Sequence, residues 1–268
     1  MNTNLPTKNI QNNMKNTTLL KTMHGLAMGL LATSASHAAI LYQQDFSSYS
    51  GVTNASTVGW SYSTVYGNNG WGIIQDQGTG TGPMLFAISG WTHALTTPFS
   101  GNETQIVVQA LIFTQAGSSS AGLYSQNFSA FNGTGNWAGF GPQMTFSGGI
   151  FSLKQSGNAG GASSVTVPVA NVTPGNANFS MVIDVTTGLA DGYFGTPETG
   201  TLLIDNFDLK GSQTLSQFKT DLYSNVNVGV YSNQGLFDNI TVSAIPEPSS
   251  AALLGGLGTL LMLRRRRA

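Results

Sequence analysis

The chain has 268 residues, ten Lys/Arg against eleven Asp/Glu, and no cysteine, which excludes disulfides and thiolate metal sites. The near-neutral total hides a segregation: residues 39–244 hold only three basic residues (Lys154, Lys210 and Lys219) and ten acidic ones, so this span carries −7 and no arginine. Such a span is excluded as a nucleic-acid binder, because phosphate contacts need Lys and Arg.

In chain order, the first element is a secretory signal. Lys15 and Lys21 supply its positive region, Met23 to Ala32 its apolar stretch, and Ser36-His37-Ala38 a small-x-small cleavage site. The expected cut follows Ala38, which makes residues 1–38 the signal. The polar residues 1–13 make Met14 an alternative start.

Residues 39–244 read as one all-β domain. Strands are expected at 40–46, 60–66, 71–75, 84–91, 106–113, 137–147, 149–155, 165–169, 179–185 and 200–209. Two more are expected where Val226, Val228 and Val230, then Ile240, Val242 and Ala244, alternate with polar residues. The run at 106–113 (IVVQALIF) is nearly continuous, as in a strand covered on both faces. Pro168 marks 165–169 as an edge strand. Turn clusters fall at 67–70, 78–82, 117–120, 157–164 and 174–176, and only 214–223 reads as helix. Leu203-Ile204-Asp205-Asn206-Phe207 and Leu236-Phe237-Asp238-Asn239-Ile240 share a pattern too isolated to be a repeat.

Within the body, Trp60, Tyr62, Tyr66 and Trp71 cluster among Asn and Gly. Trp60, Tyr62 and Tyr66 share parity and would line one strand face, as a platform for the C–H faces of sugar rings or as sandwich core. Catalysis finds no support. The span holds two glutamates, Glu103 and Glu198, far apart in sequence, and a single histidine, His93, with no nucleophile motif beside it.

The chain ends IPEPSSAALLGGLGTLLMLRRRRA. Between Glu247 and Arg264 lie 16 uncharged residues. As a helix they would measure about 24 Å at ~1.5 Å per residue, short for a bilayer core of about 30 Å. Arg264, Arg265, Arg266 and Arg267 act as a cytoplasmic stop and place the body on the other side.

Two resemblances follow. Pro246-Glu247-Pro248, the hydrophobic segment 249–263 and the terminal Arg cluster resemble the PEP-CTERM sorting signal of Gram-negative bacteria. That resemblance implies that residues 245–268 are a handle for exosortase, a membrane-embedded cysteine transpeptidase or protease. The tail would be removed near the triplet and the body delivered to the cell surface or exopolysaccharide matrix. Asp45-Phe46 on the first strand, some dozen strands, and Phe237 to Val242 on the last resemble the concanavalin A-like lectin/glucanase jelly roll, which laminin G-like domains share. This second resemblance implies that the first and last strands lie side by side, bringing Asp45 near Asp238. A calcium ion could then neutralise the pair with help from backbone carbonyls and Asn239. Glucanases of this fold carry Glu-x-Asp-x-x-Glu on one strand, a string missing here.

The expectation is therefore a noncatalytic, exported jelly-roll β-sandwich of the cell surface or extracellular matrix, adhesive or structural, in contact with polysaccharide. The alternatives are a lectin-like module with structural calcium, and a divergent polysaccharide hydrolase or lyase.

Overall fold

The computed structural model describes residues 38–62, 71–76, 78, 82–114, 117–124, 140–155 and 163–247. The signal segment, Tyr66, Pro248, the hydrophobic segment 249–263 and Arg264 to Arg267 lie outside them. Among the described residues no helix is long and apolar enough to cross a membrane.

Among the described residues fourteen strands run in chain order: β1 (Ala39–Gln44), β2 (Thr53–Asn54), β3 (Ser61–Tyr62), β4 (Trp71–Asp76), β5 (Pro83–Ala94), β6 (Glu103–Thr114), β7 (Ser118–Tyr124), β8 (Phe140–Ser147), β9 (Ile150–Gln155), β10 (Ser163–Pro168), β11 (Asn178–Asp184), β12 (Leu189–Phe194), β13 (Thr201–Asp208) and β14 (Asn227–Pro246). A helix, α1 (Leu215–Tyr223), precedes β14. Its N-terminus is closed by a capping box: the Thr214 hydroxyl accepts from the Gln217 N–H while the Gln217 side chain accepts from the Thr214 N–H.

The strands form an antiparallel sandwich. One layer runs β10-β9-β8-β7-β14-β5, with β3 and β4 on the far side of β5, and the other runs β13-β12-β11-β6-β14 with β1 beside β14. β14 belongs to both layers. Asn227 to Phe237 pair with β5, whereas Ile240 to Ala244 pair with β1. The change of partner falls at Asp238-Asn239, where Asn239 adopts φ 48, the left-handed conformation that Asn tolerates best after Gly. Two separate strands were expected here; one 20-residue strand with a kink replaces them. The related pentad behaves alike: Asn206 has φ 55, and the β12–β13 register slips beside it.

The core lies between the layers. Phe151 of β9 stacks on Phe179 of β11 at 4.8 Å and 8°, and Phe146 of β8 stacks on Phe179 at 5.3 Å. Ile106, Val108, Ile112, Val228, Val230 and Val242 have no exposed surface. Val107 and Gln109 keep partial exposure, so β6 is less completely covered than its sequence implies. β10 lies at the end of its layer, as Pro168 predicts, because proline has no N–H for a further neighbour.

Three strands depart from the sequence reading, the first being the two-residue β2, which was not expected. Residues 117–120 do not form a turn; Ser118 opens β7, which lies inside the sheet between β8 and β14. Its small side chains fit because hydroxyls pair across the ladder, with Ser119 Oγ 2.8 Å from Ser232 Oγ and Ser120 Oγ 2.8 Å from Thr145 Oγ1. β12 (LADGYF) was not expected at all. Gly192 is required within it, since a Cβ there would fall 2.7 Å from the Phe151 ring.

Candidate functional site

The aromatic cluster resolves first. The 3₁₀ turn Ala55–Val58 stops at Gly59 with φ 90, and the reversal sends Trp60 inward. Trp60 is 1% exposed and packs 6.2 Å from the Tyr42 ring, 6.3 Å from Phe46 and 5.8 Å from His93. It is therefore core and unavailable as a sugar platform, which corrects the first member of the expected set. Tyr62 pairs with Trp91 and Trp71 with Ile88 along β5; their side chains, like all of Tyr66, lie outside the described residues. Burial, and next the neighbouring Tyr49, push the Tyr42 phenol far up, so it is a neutral core hydroxyl.

The carboxylates come next. β1 lies beside β14, Gln44 opposite Ile240, so the expected approach of Asp45 to Asp238 is found. Asp238 is 4% exposed. Its Oδ1 accepts the Phe46 N–H at 3.0 Å, while Asp45 Oδ1 accepts the Ser47 N–H at 2.7 Å. Burial first, and the Asp45 charge with it, raise the Asp238 carboxyl above the usual range against the pull of the Phe46 and Asn239 N–H groups. Among the described residues no third acidic or histidine side chain joins the pair. Calcium takes about six to eight oxygens. The two carboxylates supply only part of such a set, and Asp238 also clamps the β14 kink by accepting the Phe46 N–H.

The hydrolase candidates are separated. Glu103 opens β6 and is 4% exposed; its carboxylate accepts from Ser100 Oγ at 2.7 Å, from the Ser100 N–H and from the Gly101 N–H at 3.0 Å. Burial alone would raise its pKa, but these bonds, Ser100's foremost, hold it below the usual range. Glu198 lies in the turn after Phe194, and Phe194 pairs through Phe179 with Ala110 at the other end of β6. Seven residues of strand at ~3.4 Å each place the two regions roughly 24 Å apart, against ~5–9 Å for a glycosidase pair. The His93 ring packs tilted against Tyr42 at 4.9 Å, and its Nδ1 lies 2.7 Å from the Ala94 carbonyl.

A different feature emerges on the outer face of the β10-β9-β8-β7-β14-β5 layer. Residues opposite in parity to Met144, Phe146, Phe151 and Val230 form two polar rows. One runs Thr166, Ser152, Thr145, Ser120, Tyr231, Gly90; the next runs Ser164, Lys154, Gln143, Gly122, Gly229, Thr92. Thr166 and Ser164 are exposed at the β10 edge, Ser152, Thr145 and Gln143 fall to 5%, 3% and 3%, and Tyr231 is intermediate again. The polar rows are therefore exposed at the β10 edge and covered along β8, where the Asn225 side chain lies over Gly141. Gly90, Gly122 and Gly229 are buried, and at Gly122 a Cβ would fall 2.4 Å from the Pro142 carbonyl oxygen. Sequence reasoning missed this face because its members are scattered over six strands, one of which reads as a turn.

A second concavity, about 300 Å³, opens at one end of the sandwich, lined by Phe113, Phe146, Val169 and Val172 with Thr114, Asn171, Gly148 and Gly149. The Val169 N–H to Gly149 O bond, 2.7 Å, ties its wall.

No protein-family model matches the chain, and no curated protein is similar to it. Solved structures with a related strand arrangement include the T. cruzi calreticulin globular domain (13% identity, 86% of this chain, 100% of that one, TM-score 0.43). Others are the carbohydrate-binding module CBM66 from Bacillus subtilis (13%, 69% and 94%, TM-score 0.39) and SCLam, a non-specific endo-β-1,3(4)-glucanase from family GH16 (8%, 78% and 92%, TM-score 0.44). At these identities and scores the likeness is one of general strand arrangement.

Proposed function

We propose that the chain is a noncatalytic, exported β-sandwich of jelly-roll type that contacts polysaccharide at the cell surface or in the extracellular matrix. The observation that supports contact is the polar outer face of the β10-β9-β8-β7-β14-β5 layer, exposed at Ser164 and Thr166 and partly at Tyr231. Tyr231, half-buried on the same face, carries a ring with a polar tip, the amphipathic kind of surface sugars stack on. The separation of Glu103 from Glu198 argues against the hydrolase alternative, and the donor set at Asp45 and Asp238 argues against the calcium-dependent one.

Export rests on the sequence signals at the two termini, and handling by exosortase on the Pro246-Glu247-Pro248 resemblance. Mass spectrometry of the native secreted protein tests both: cleavage after Ala38 and near Pro248 is expected, and an intact cytoplasmic chain would refute export. For the contact, a glycan array of the purified protein is expected to give signal that Tyr231→Ala and Thr145→Val abolish while melting stays cooperative. Signal unchanged in both variants would refute this face as the site.

A further inference from the structure

The two ends of the β-sandwich meet in one ladder. β1 opens at Ala39, the first residue beyond the expected signal cut, and its partner in register is Ala244 of β14. The register continues with Ile40 opposite Ser243, Tyr42 opposite Val242, Gln43 opposite Thr241 and Gln44 opposite Ile240. β14 itself runs to Pro246, the first residue of the Pro246-Glu247-Pro248 triplet. Both expected cuts therefore fall at the same end of one antiparallel pair. Ala38 and Glu247, just outside it, are both exposed.

The ladder withholds its own backbone from a protease. Proteins that bind an extended peptide as an added strand hold it through its main-chain N–H and C=O groups, and a protease needs those groups around the bond it cuts. Ile240 to Ala244 spend theirs on the ladder with β1, and the Ile245 carbonyl accepts the Thr104 hydroxyl at 3.1 Å. The side chains add to this hold: Ile240 and Val242 have no exposed surface and Ala244 is 2% exposed. Any bond in this stretch must first peel away from β1 before it can be cut, so its cleavage follows the population of that opened state. Susceptibility follows the burial and hydrogen bonding of the backbone, and the strand that supplies both ends at Pro246.

We infer that the β1–β14 ladder fixes where the C-terminal tail is removed: at a bond beyond Pro246, so that the mature body keeps the whole of β14. In hydrolysis there, one amide C–N bond breaks; water supplies the hydroxyl of the new carboxyl and the hydrogen taken up by the departing nitrogen. β1 guards the site, because without it the stretch before the triplet loses its ladder. This inference rests on the reading that the tail is removed on export.

The test maps cleavage of the purified full chain, held in mild detergent, by the broad-specificity protease subtilisin, with intact-mass spectrometry reading the new C-terminus. The wild type is expected to end at Pro246 or beyond, with cuts in residues 240–245 at least about 100-fold slower, the factor for re-exposing two buried branched side chains. Thr104→Val keeps the side-chain shape and loses the bond to Ile245, and should speed cutting at that edge about fivefold, the scale of one hydrogen bond. Ile40→Pro, at an exposed β1 position opposite Ser243, should bring cuts into residues 240–245 while the melting transition stays cooperative. A wild-type map whose first cut falls before Pro246 or that shows none beyond it, or a map that neither variant changes, overturns the inference. Mass spectrometry of the native protein separates it from the reading beneath it. An exported chain that ends short of Pro246 overturns the ladder's role and leaves export standing; an intact cytoplasmic chain overturns export and this inference with it.

Discussion

Asp238 offers the sharpest single-residue test of the architecture, because its carboxylate does two separable things. It accepts the Phe46 N–H at 3.0 Å and so fastens the end of β1 where β14 changes partner. It also keeps a charge at 4% exposure beside Asp45, which raises its pKa. Asp238→Ala removes the acceptor and leaves a buried N–H orphaned, which costs about 1–3 kcal/mol. At ~2–4 °C per kcal/mol for a domain of this size, the melting temperature falls by about 2–12 °C. Asp238→Asn keeps an oxygen for Phe46 and removes the buried charge, so at pH 7 it matches or exceeds the wild type. The pH dependence follows from the direction of the shift. A carboxyl with a raised folded pKa binds its proton more tightly when folded. Its contribution is fully present below the unfolded carboxylate range and is lost as pH rises through the folded pKa. The advantage of Asp238→Asn over wild type should therefore grow from acid toward neutral pH in thermal melts. A variant as unstable as Asp238→Ala at neutral pH, or an advantage that shrinks with rising pH, would refute the reasoning.

Other outcomes follow from the same geometry. Glu103→Gln should lower the melting temperature at neutral pH and converge on wild type in acid, because the lowered carboxyl contributes stability that disappears as pH falls through its folded pKa. Trp60→Ala should cost about 3–5 kcal/mol as a core deletion, measurable in denaturant melts, and leave polysaccharide retention intact below the transition. Gly122→Ala would set a Cβ 2.4 Å from the Pro142 carbonyl oxygen in the β7–β8 seam, and calorimetry should record the ~1–3 kcal/mol typical of overpacking. Millimolar calcium or a chelator should leave the melting temperature where it is; a rise on calcium addition would restore the metal alternative at Asp45 and Asp238.

Much of the framework was legible because it depends on local apolar periodicity. The alternating valines of β14, the apolar run of β6 and the proline at the β10 edge each state their environment directly. So does the helix start at Thr214, whereas the adjacency of the first and last strands is implied only by the jelly-roll resemblance. What stayed hidden depends on partners distant in sequence. β7 consists of Ser, Ala and Gly and becomes a central strand only because Ser232 and Thr145 present hydroxyls to it. Asp191-Gly192 in β12 resembles a turn until the Phe151 ring claims the missing Cβ. Trp60 shares parity with Tyr62 in the sequence, but Gly59 breaks the strand before that parity takes effect. The two Asp-Asn pentads looked like chance. Both put Asn in the left-handed region, and Asp carboxylates anchor both kinks: Asp238 to Phe46, and Asp191 to the Asn206 N–H at 2.8 Å. The polar outer face is assembled across six strands, so no window of sequence contains it.

The central claim, that the polar outer face of this layer contacts polysaccharide, is tested most directly by NMR chemical-shift mapping as glycan is titrated into labelled protein. The account predicts that the largest perturbations cluster at Ser120, Gln143, Thr145, Ser152, Lys154 and Tyr231. Perturbations gathered instead around Phe113 and Val172 at the end of the sandwich, or none anywhere, would contradict it.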